Sequence, residues 1–169
     1  MEDQVILVDE QDRAIGTMEK LAAHREGLLH RAISVFIFDD QRRLLLHKRA
    51  SHKYHSANLW TNTCCSHPAP GEHAMDAAHR RLYEEMGMEA DLAFAFTFQY
   101  RAAFDNGLTE YELDHVFIGH SNCFPAPNPA EVADYRWLSQ SDIEHEVLTR
   151  PDTYTAWFKL IYQRVFDVF

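Results

Sequence analysis

Cysteine is scarce, with three residues in 169, two of them adjacent at Cys64 and Cys65. An odd count and a neighbouring pair that cannot readily bridge itself make a poor disulfide framework, so free thiols in a reducing cytoplasm are expected. Basic residues are also few, 16 Lys and Arg against 26 Asp and Glu, for a formal net charge of -10. With no basic cluster interleaved with aromatics, a nucleic-acid partner is not expected. No apolar run approaches the length of a membrane span, so neither membrane insertion nor secretion is expected. There is no repeat and no low-complexity tract, and 46% apolar content is spread over a length suited to one core. Residues 1–169 therefore read as a single domain.

The apolar runs that are present have clear periods. Val5–Val8 and Ala14–Met18 flank a polar turn and predict an opening hairpin, while Glu19–Arg31 reads as part helix, part loop. AISVFIFD and LLLHKR, separated by Asp40-Gln41-Arg42, predict a strand pair. The cysteines in LWTNTCCSHPAPGE fall at a strand-to-loop edge, because Pro68, Pro70 and Gly71 forbid regular structure after His67. Ala74, Ala78, Leu82 and Met86 recur every fourth residue and predict a helix over 72–86, stopped by Gly87. Two long runs joined by Asp105-Asn106-Gly107 predict a hairpin. A proline-punctuated loop, a short YRWL strand and helices over 141–148 and 152–166 complete a mixed α/β (α+β) layered fold.

Three groups of residues carry potential chemistry. On the helix, Glu84 and Glu85, with Glu72 earlier, are either a solvated acidic face or hard oxygen ligands for Mg²⁺. On one strand, Glu110 and Glu112 alternate onto the same face, where two carboxylates repel unless something positive lies between them. His24, His30 and His67 with these two acids can fill the coordination shell of Mn²⁺, Mg²⁺ or Zn²⁺, the nitrogen share favouring a transition metal. Among 11 histidines most must be surface or hydrogen-bonded residues. Cys65, beside His67, is either a small buried apolar residue or an edge thiol for which thiol and thiolate are both usable. A small diphosphate substrate would be repelled by the overall charge, so its site needs local cations or metal ions.

Glu72, Arg80, Leu82, Glu84, Glu85, Gly87 and Met88 resemble a degenerate Nudix box, the loop–helix–loop that binds a divalent metal and a diphosphate. Ser66 stands where that box starts with Gly, and Arg81 where hydrolases carry a Glu, which favours diphosphate binding over diphosphate cleavage. The ordered set EKLAAH, LLH, HKRASHK, LWTNTCCSHP, RRLYEEMG, FQYRA and EYELDHVF, from Glu19 to Phe117, resembles the type I isopentenyl-diphosphate isomerases. That resemblance implies a Nudix fold, with a mixed β-sheet between helices in one catalytic domain, that interconverts isopentenyl and dimethylallyl diphosphate. It implies catalytic roles for Cys65 and Glu112 with Tyr100 as proton partner, and a metal held by His24, His30, His67, Glu110 and Glu112. It further implies that Glu85 ligates a Mg²⁺ arriving with the diphosphate, that Lys20, Arg49, Lys53 and Arg81 clamp the diphosphate, and that Trp157 covers the alkene. The expected partner is a small diphosphate, and the chain is expected to be a monomer or weak homodimer. A Nudix hydrolase of a nucleoside diphosphate compound and a non-catalytic metal-binding interaction protein are the alternatives.

Overall fold

In the computed structural model, which describes residues 3–169, the opening hairpin is formed by β1 (Gln4–Val8) and β2 (Ala14–Glu19). The stretch after it becomes the helix α1 (Lys20–Glu26), with Glu19 as its cap: the carboxylate accepts from the backbone N–H of Leu21 and Ala22 at 2.9 and 2.8 Å. This cap sets Lys20 at the first position of the helix and His24 one turn further on.

The strand β3 (His30–Phe38) is the hub of a nine-stranded mixed sheet. It runs parallel to β8 (Thr109–His120), in register from His30 opposite Glu112 to Phe38 opposite His120. On its other edge it meets β1, β4 (Leu44–Arg49) and the short β6 (Cys64–Ser66). Strand β7 (Leu92–Ala103) forms the expected hairpin with β8, and β5 (Trp60–Thr61) and β9 (Val132–Leu138) extend the sheet from β4. With neighbours on both edges and helices on both faces, β3 is buried almost throughout, which explains why it is apolar apart from His30, Arg31 and Ser34.

Alternation along β3 feeds two cores. Ile33, Val35 and Ile37 pack with Ala77, Ala78, Leu82 and Met86 of α2 (Ala74–Met86), while Phe36 and Phe38 pack with Phe158, Ile161, Val165 and Phe166 of α4 (Ala156–Val168) and Ile143 of α3 (Gln140–Thr149). The sheet is thus layered between helices, as expected.

Two helix boundaries differ from the sequence reading. Helix α2 starts at Ala74 rather than at 72, because the Glu72 carboxylate accepts from Ala69 N–H and binds the Arg80 guanidinium, closing a turn. The last helix starts at Ala156 rather than at 152: Pro151–Thr153 form a separate 3₁₀ turn, and Thr155 caps α4 by accepting from Phe158 N–H. Thr155 also donates to Thr61 Oγ1 at 2.9 Å, which anchors the start of α4 to β5.

At its other end α2 stops at Gly87, with φ of 61°, and the following loop folds back so that Ala126 N–H and Asn128 N–H donate to Met86 O and Glu85 O, each at 2.8 Å. A Cβ at Gly87 would lie 2.6 Å from Ala126 O. Gly87→Ala therefore combines a left-handed backbone with a clash, and is expected to cost about 1–3 kcal/mol. Urea denaturation checks this; a variant as stable as the parent would contradict the tight approach.

Candidate active site

The register of three strands builds the centre of the site. Glu112 on β8 has His30 of β3 on one side and Tyr100 of β7 on the other as direct cross-strand neighbours. One carboxylate oxygen, Oε1, accepts from Tyr100 Oη at 2.7 Å, while Oε2 lies 3.2 Å from His30 Nε2 and 2.7 Å from His67 Nε2. Two residues back on the same face, Glu110 accepts from Tyr100 and lies 2.8 Å from His55 Nε2 and 3.8 Å from His24 Nε2. Ligand atoms of His24, His30, His67 and Glu112 all lie within 4.8 Å of one another, as do those of His24, His55 and Glu110.

The ring nitrogens of this cluster carry the argument for a cation. His24 Nδ1 lies 2.7 Å from Lys20 O and His30 Nδ1 lies 2.9 Å from Leu28 O. A carbonyl can only accept, so each Nδ1 bears a proton, and in its neutral tautomer each ring turns a bare Nε2 toward a carboxylate. Among the described residues, His24 Nε2 is buried without any hydrogen-bond partner. Lone pairs facing carboxylates are repulsive unless a positive charge lies between them, and a divalent metal ion meets that need. The cluster is therefore a group that fits a divalent metal.

The electrostatics follow from burial and these contacts. Burial raises the pKa of Glu112, but hydrogen bonds and charge from His30 and His67 bring it well below the usual carboxylate range. Glu110, raised by burial and by Glu112, is brought below the usual range by His24 and His55. Burial lowers His67 to about 4, whereas at His30 the Glu112 contact outweighs burial and the net shift is upward. For Tyr100, burial and the two glutamates push the hydroxyl far up, so it stays a donor.

Adjacent cysteines face opposite ways because side chains alternate along β6. Cys64 points toward α2, is fully buried, and donates to Glu85 Oε2 at 2.6 Å. Cys65 points to the α4 side, where it donates to Asn62 Oδ1 at 2.9 Å and accepts from Trp157 Nε1 at 3.3 Å. Burial pushes its pKa up, with the Asp114 charge adding to the shift. This environment favours the thiol form at Cys65.

A cavity of about 500 Å³ brings these groups to one space. Cys65, His67, Glu110, Glu112 and Trp157 line its interior, with Lys20, Arg49, Lys53, Arg81 and Glu85 also on its wall. Tyr100, His24 and His30 lie behind this wall, reaching the space through the two glutamates. Arg49 lies over the Trp157 ring at 5.3 Å, and the buried Nε atoms of Arg49 and Arg81 have no partner among the described residues. Of the three helix carboxylates considered as metal ligands, only Glu85 faces the cavity; Glu72 is bound by Arg80, and Glu84 by Arg80 and Arg81.

The residues to which the resemblance gives a role thus lie on or directly behind one cavity, whereas Glu72 and Glu84 do not. His55 did not emerge from the sequence, since it lies in the aperiodic stretch ASHKYHSAN, where only the density of histidine marks it. Asn62, which holds the Cys65 thiol, and Glu131, which is paired with Lys53, were likewise not legible.

Comparison with known proteins adds lineage to this geometry. The NUDIX domain family matches residues 28–158. An isopentenyl-diphosphate Delta-isomerase 2 of Aromatoleum aromaticum is 52% identical over 165 residues, covering 98% of this chain and 87% of that protein. An isopentenyl-diphosphate Delta-isomerase of Pectobacterium atrosepticum is 52% identical over 164 residues, covering 97% of this chain and 92% of that protein. Among solved structures, a Deinococcus radiodurans protein superposes with a TM-score of 0.81 at 19% identity, covering 96% of this chain and 98% of the other. The MutT protein of Methanosarcina mazei gives 0.67 at 18% identity, covering 80% and 91%; both share the fold.

Two measurements test the site as described. Replacing His24 by Ala removes a candidate ligand whose ring is oriented by Lys20 O, and is expected to weaken divalent-metal binding by about 100-fold; competition with a chromogenic chelator reads it, and undiminished affinity would remove His24 from the metal set. The second concerns His47 on β4, whose Nδ1 donates to Asn62 O at 2.6 Å beneath the cysteine segment, and whose pKa burial and Arg49 lower from 6.5 to about 4. Between those values the unfolded chain binds a proton that the folded chain refuses, so stability is complete above 6.5 and falls with pH, by about 3 kcal/mol from this residue. Denaturation of chelator-treated protein from pH 7 to 4.5 is expected to decline less steeply in His47→Asn; equal slopes would contradict the assignment.

Proposed function

The chain belongs to the NUDIX family and, within it, to the isopentenyl-diphosphate Delta-isomerases, and on that premise we propose that it interconverts isopentenyl and dimethylallyl diphosphate. The observation that carries this reading is the meeting of a protonated thiol, Cys65, and a carboxylate, Glu112 with Tyr100, on one cavity roofed by Trp157. Moving a double bond by one position needs a proton delivered to one alkene carbon, which leaves the cation on the other, and a proton removed from the carbon on the far side of that cation. Cys65, held as a thiol by burial, can deliver a proton, and Glu112, held as a carboxylate, can accept one. Because the reaction is reversible, the two groups exchange these roles in the opposite direction. Tyr100 donates to both glutamates and so provides a proton partner next to Glu112.

Protonation of an unactivated alkene creates a tertiary carbocation, which water would capture. The Trp157 indole offers a π surface in a desolvated space, worth about 2 kcal/mol or roughly thirtyfold in rate. Its N–H holds the Cys65 sulfur, so the residue that shields the cation also fixes the acid.

The diphosphate tail belongs at the cationic wall, with Lys20, Arg49, Lys53 and Arg81. The unpartnered Nε donors of Arg49 and Arg81 support a missing anion there. Glu85 would hold a Mg²⁺ that arrives with the diphosphate, oriented by the Cys64 thiol on one oxygen and Arg81, 3.3 Å away, on the other. His24, His30, His67, Glu110 and Glu112 would hold a second divalent ion, Mn²⁺, Mg²⁺ or Zn²⁺, and His55 extends this set. When bound, that ion supplies positive charge that keeps Glu112 ionised and in place. Hydrolysis at phosphorus is not favoured, since Arg81 puts a cation on the α2 helix where a hydrolase would need a further carboxylate.

The test is incubation with Mg²⁺ and isopentenyl diphosphate in deuterated water, followed by NMR. Dimethylallyl diphosphate carrying deuterium is expected, and Cys65→Ala is expected to lower the rate by about 10²–10⁴-fold. Release of inorganic phosphate without isomer, or a Cys65→Ala variant that turns over like the parent, would overturn the proposal.

A further inference from the structure

We propose that Glu131 is a positioning residue that latches the cationic wall, holding Lys53 and Arg81 and yielding them to the diphosphate when substrate enters. The inference rests on the reading of this cavity as a diphosphate site.

Glu131 lies in the proline-punctuated loop after β8, 78 positions from Lys53, yet its carboxylate is ion-paired to Lys53 Nζ and lies 3.5 Å from Arg81 Nη2. The backbone around it is held from two sides. Asn128 N–H donates to Glu85 O at the end of α2, Glu131 N–H donates to Asn128 O, and Ala50 N–H donates to Glu131 O at 3.1 Å. The carboxylate is therefore carried on a support fixed jointly to α2, which bears Arg81 and Glu85, and to the segment that leads to Lys53.

The charges explain why such a group is present. The side chains of Lys53, Arg81 and Glu131 are only 20%, 19% and 24% exposed; Glu131 is the counter-charge of Lys53 and adds a third carboxylate to Glu84 and Glu85 around Arg81. One carboxylate offers two oxygens, and here each takes one cation. A diphosphate offers more oxygens and more charge, enough to engage Lys53 and Arg81 together with the unpartnered Nε donors of Arg49 and Arg81. It cannot enter beside an ionised Glu131 without repulsion, so the two anions compete for the same cations. The latch keeps the wall ordered before binding at the expense of affinity, and a ligand with a single weak anionic group displaces it poorly.

The experiment measures inorganic pyrophosphate binding by calorimetry with Mg²⁺ present, and isopentenyl diphosphate kinetics, for the parent and Glu131→Gln. The amide keeps the shape and a hydrogen-bond acceptor but removes the competing charge. Pyrophosphate is expected to bind about tenfold more tightly, with the kinetic effect falling on KM rather than on kcat. Unchanged or weaker binding would overturn the latch: a raised Mg²⁺ requirement would identify Glu131 as a metal ligand, and a lowered melting temperature alone would make it a structural brace. Tighter pyrophosphate binding without any isomer formation would uphold the latch and overturn the proposed activity. A parent protein that ignores pyrophosphate would overturn clamp and latch together.

Discussion

The parallel pairing of β3 with β8 sets the position of nearly every reactive group. It puts His30 beside Glu112, and because β7 pairs with the other edge of β8, Tyr100 falls on the far side of the same carboxylate. A slip of one residue would turn Glu110 and Glu112 toward the α2 face and bring Leu113 into the site, so the register is held by two cores at once. Phe36 and Phe38 fit only against α4, and Val35 and Ile37 only against α2. The hydrophobic alternation that folds the domain therefore also aims the acids.

The same period of two separates the paired cysteines. Cys64 and Cys65 differ by one position and so by one face, and their partners are unrelated: Glu85 on α2 for one, Asn62 and Trp157 for the other. Cys65 is fixed by a chain of contacts that begins in the last helix, from Thr155 through Thr61 to Asn62 and then to sulfur. Packing of α4 against the sheet is thus linked to the orientation of a thiol about ninety positions earlier in the sequence.

Features with a local cause were legible in the sequence. The two long hairpins declared themselves through strand periodicity and turn chemistry, helix α2 through its four-residue spacing, and the shared face of Glu110 and Glu112 through alternation. The order of the histidine, cysteine and glutamate motifs pointed to one site, which the fold assembles from α1, β3, β6, β7, β8 and α4. What stayed hidden depends on contacts made at long range. His55 sits in a segment with no period, and Glu131 in a loop whose place is set by its bonds to α2 and to Ala50. The start of α4 was misjudged because Thr155, not Asp152, makes the cap, a choice that depends on Trp60 and Thr61 being alongside.

An acidic chain with two buried carboxylates on one strand face has an energetic difficulty that its histidines only partly remove. Buried ions of like sign cost several kcal/mol unless each finds positive charge. Protons on the rings supply part of it: at His30 the Glu112 contact outweighs burial, whereas burial lowers His67 to about 4. A divalent ion between the rings and the ionised glutamates would supply the rest, and the His/Glu cluster is built to accept one. That same choice leaves Glu112 a carboxylate and Tyr100 a donor, while Cys65, away from the cluster and close to Trp157, keeps its proton. The solution to the folding problem on β8 and the division of protons needed for moving a double bond are thus one arrangement of charge.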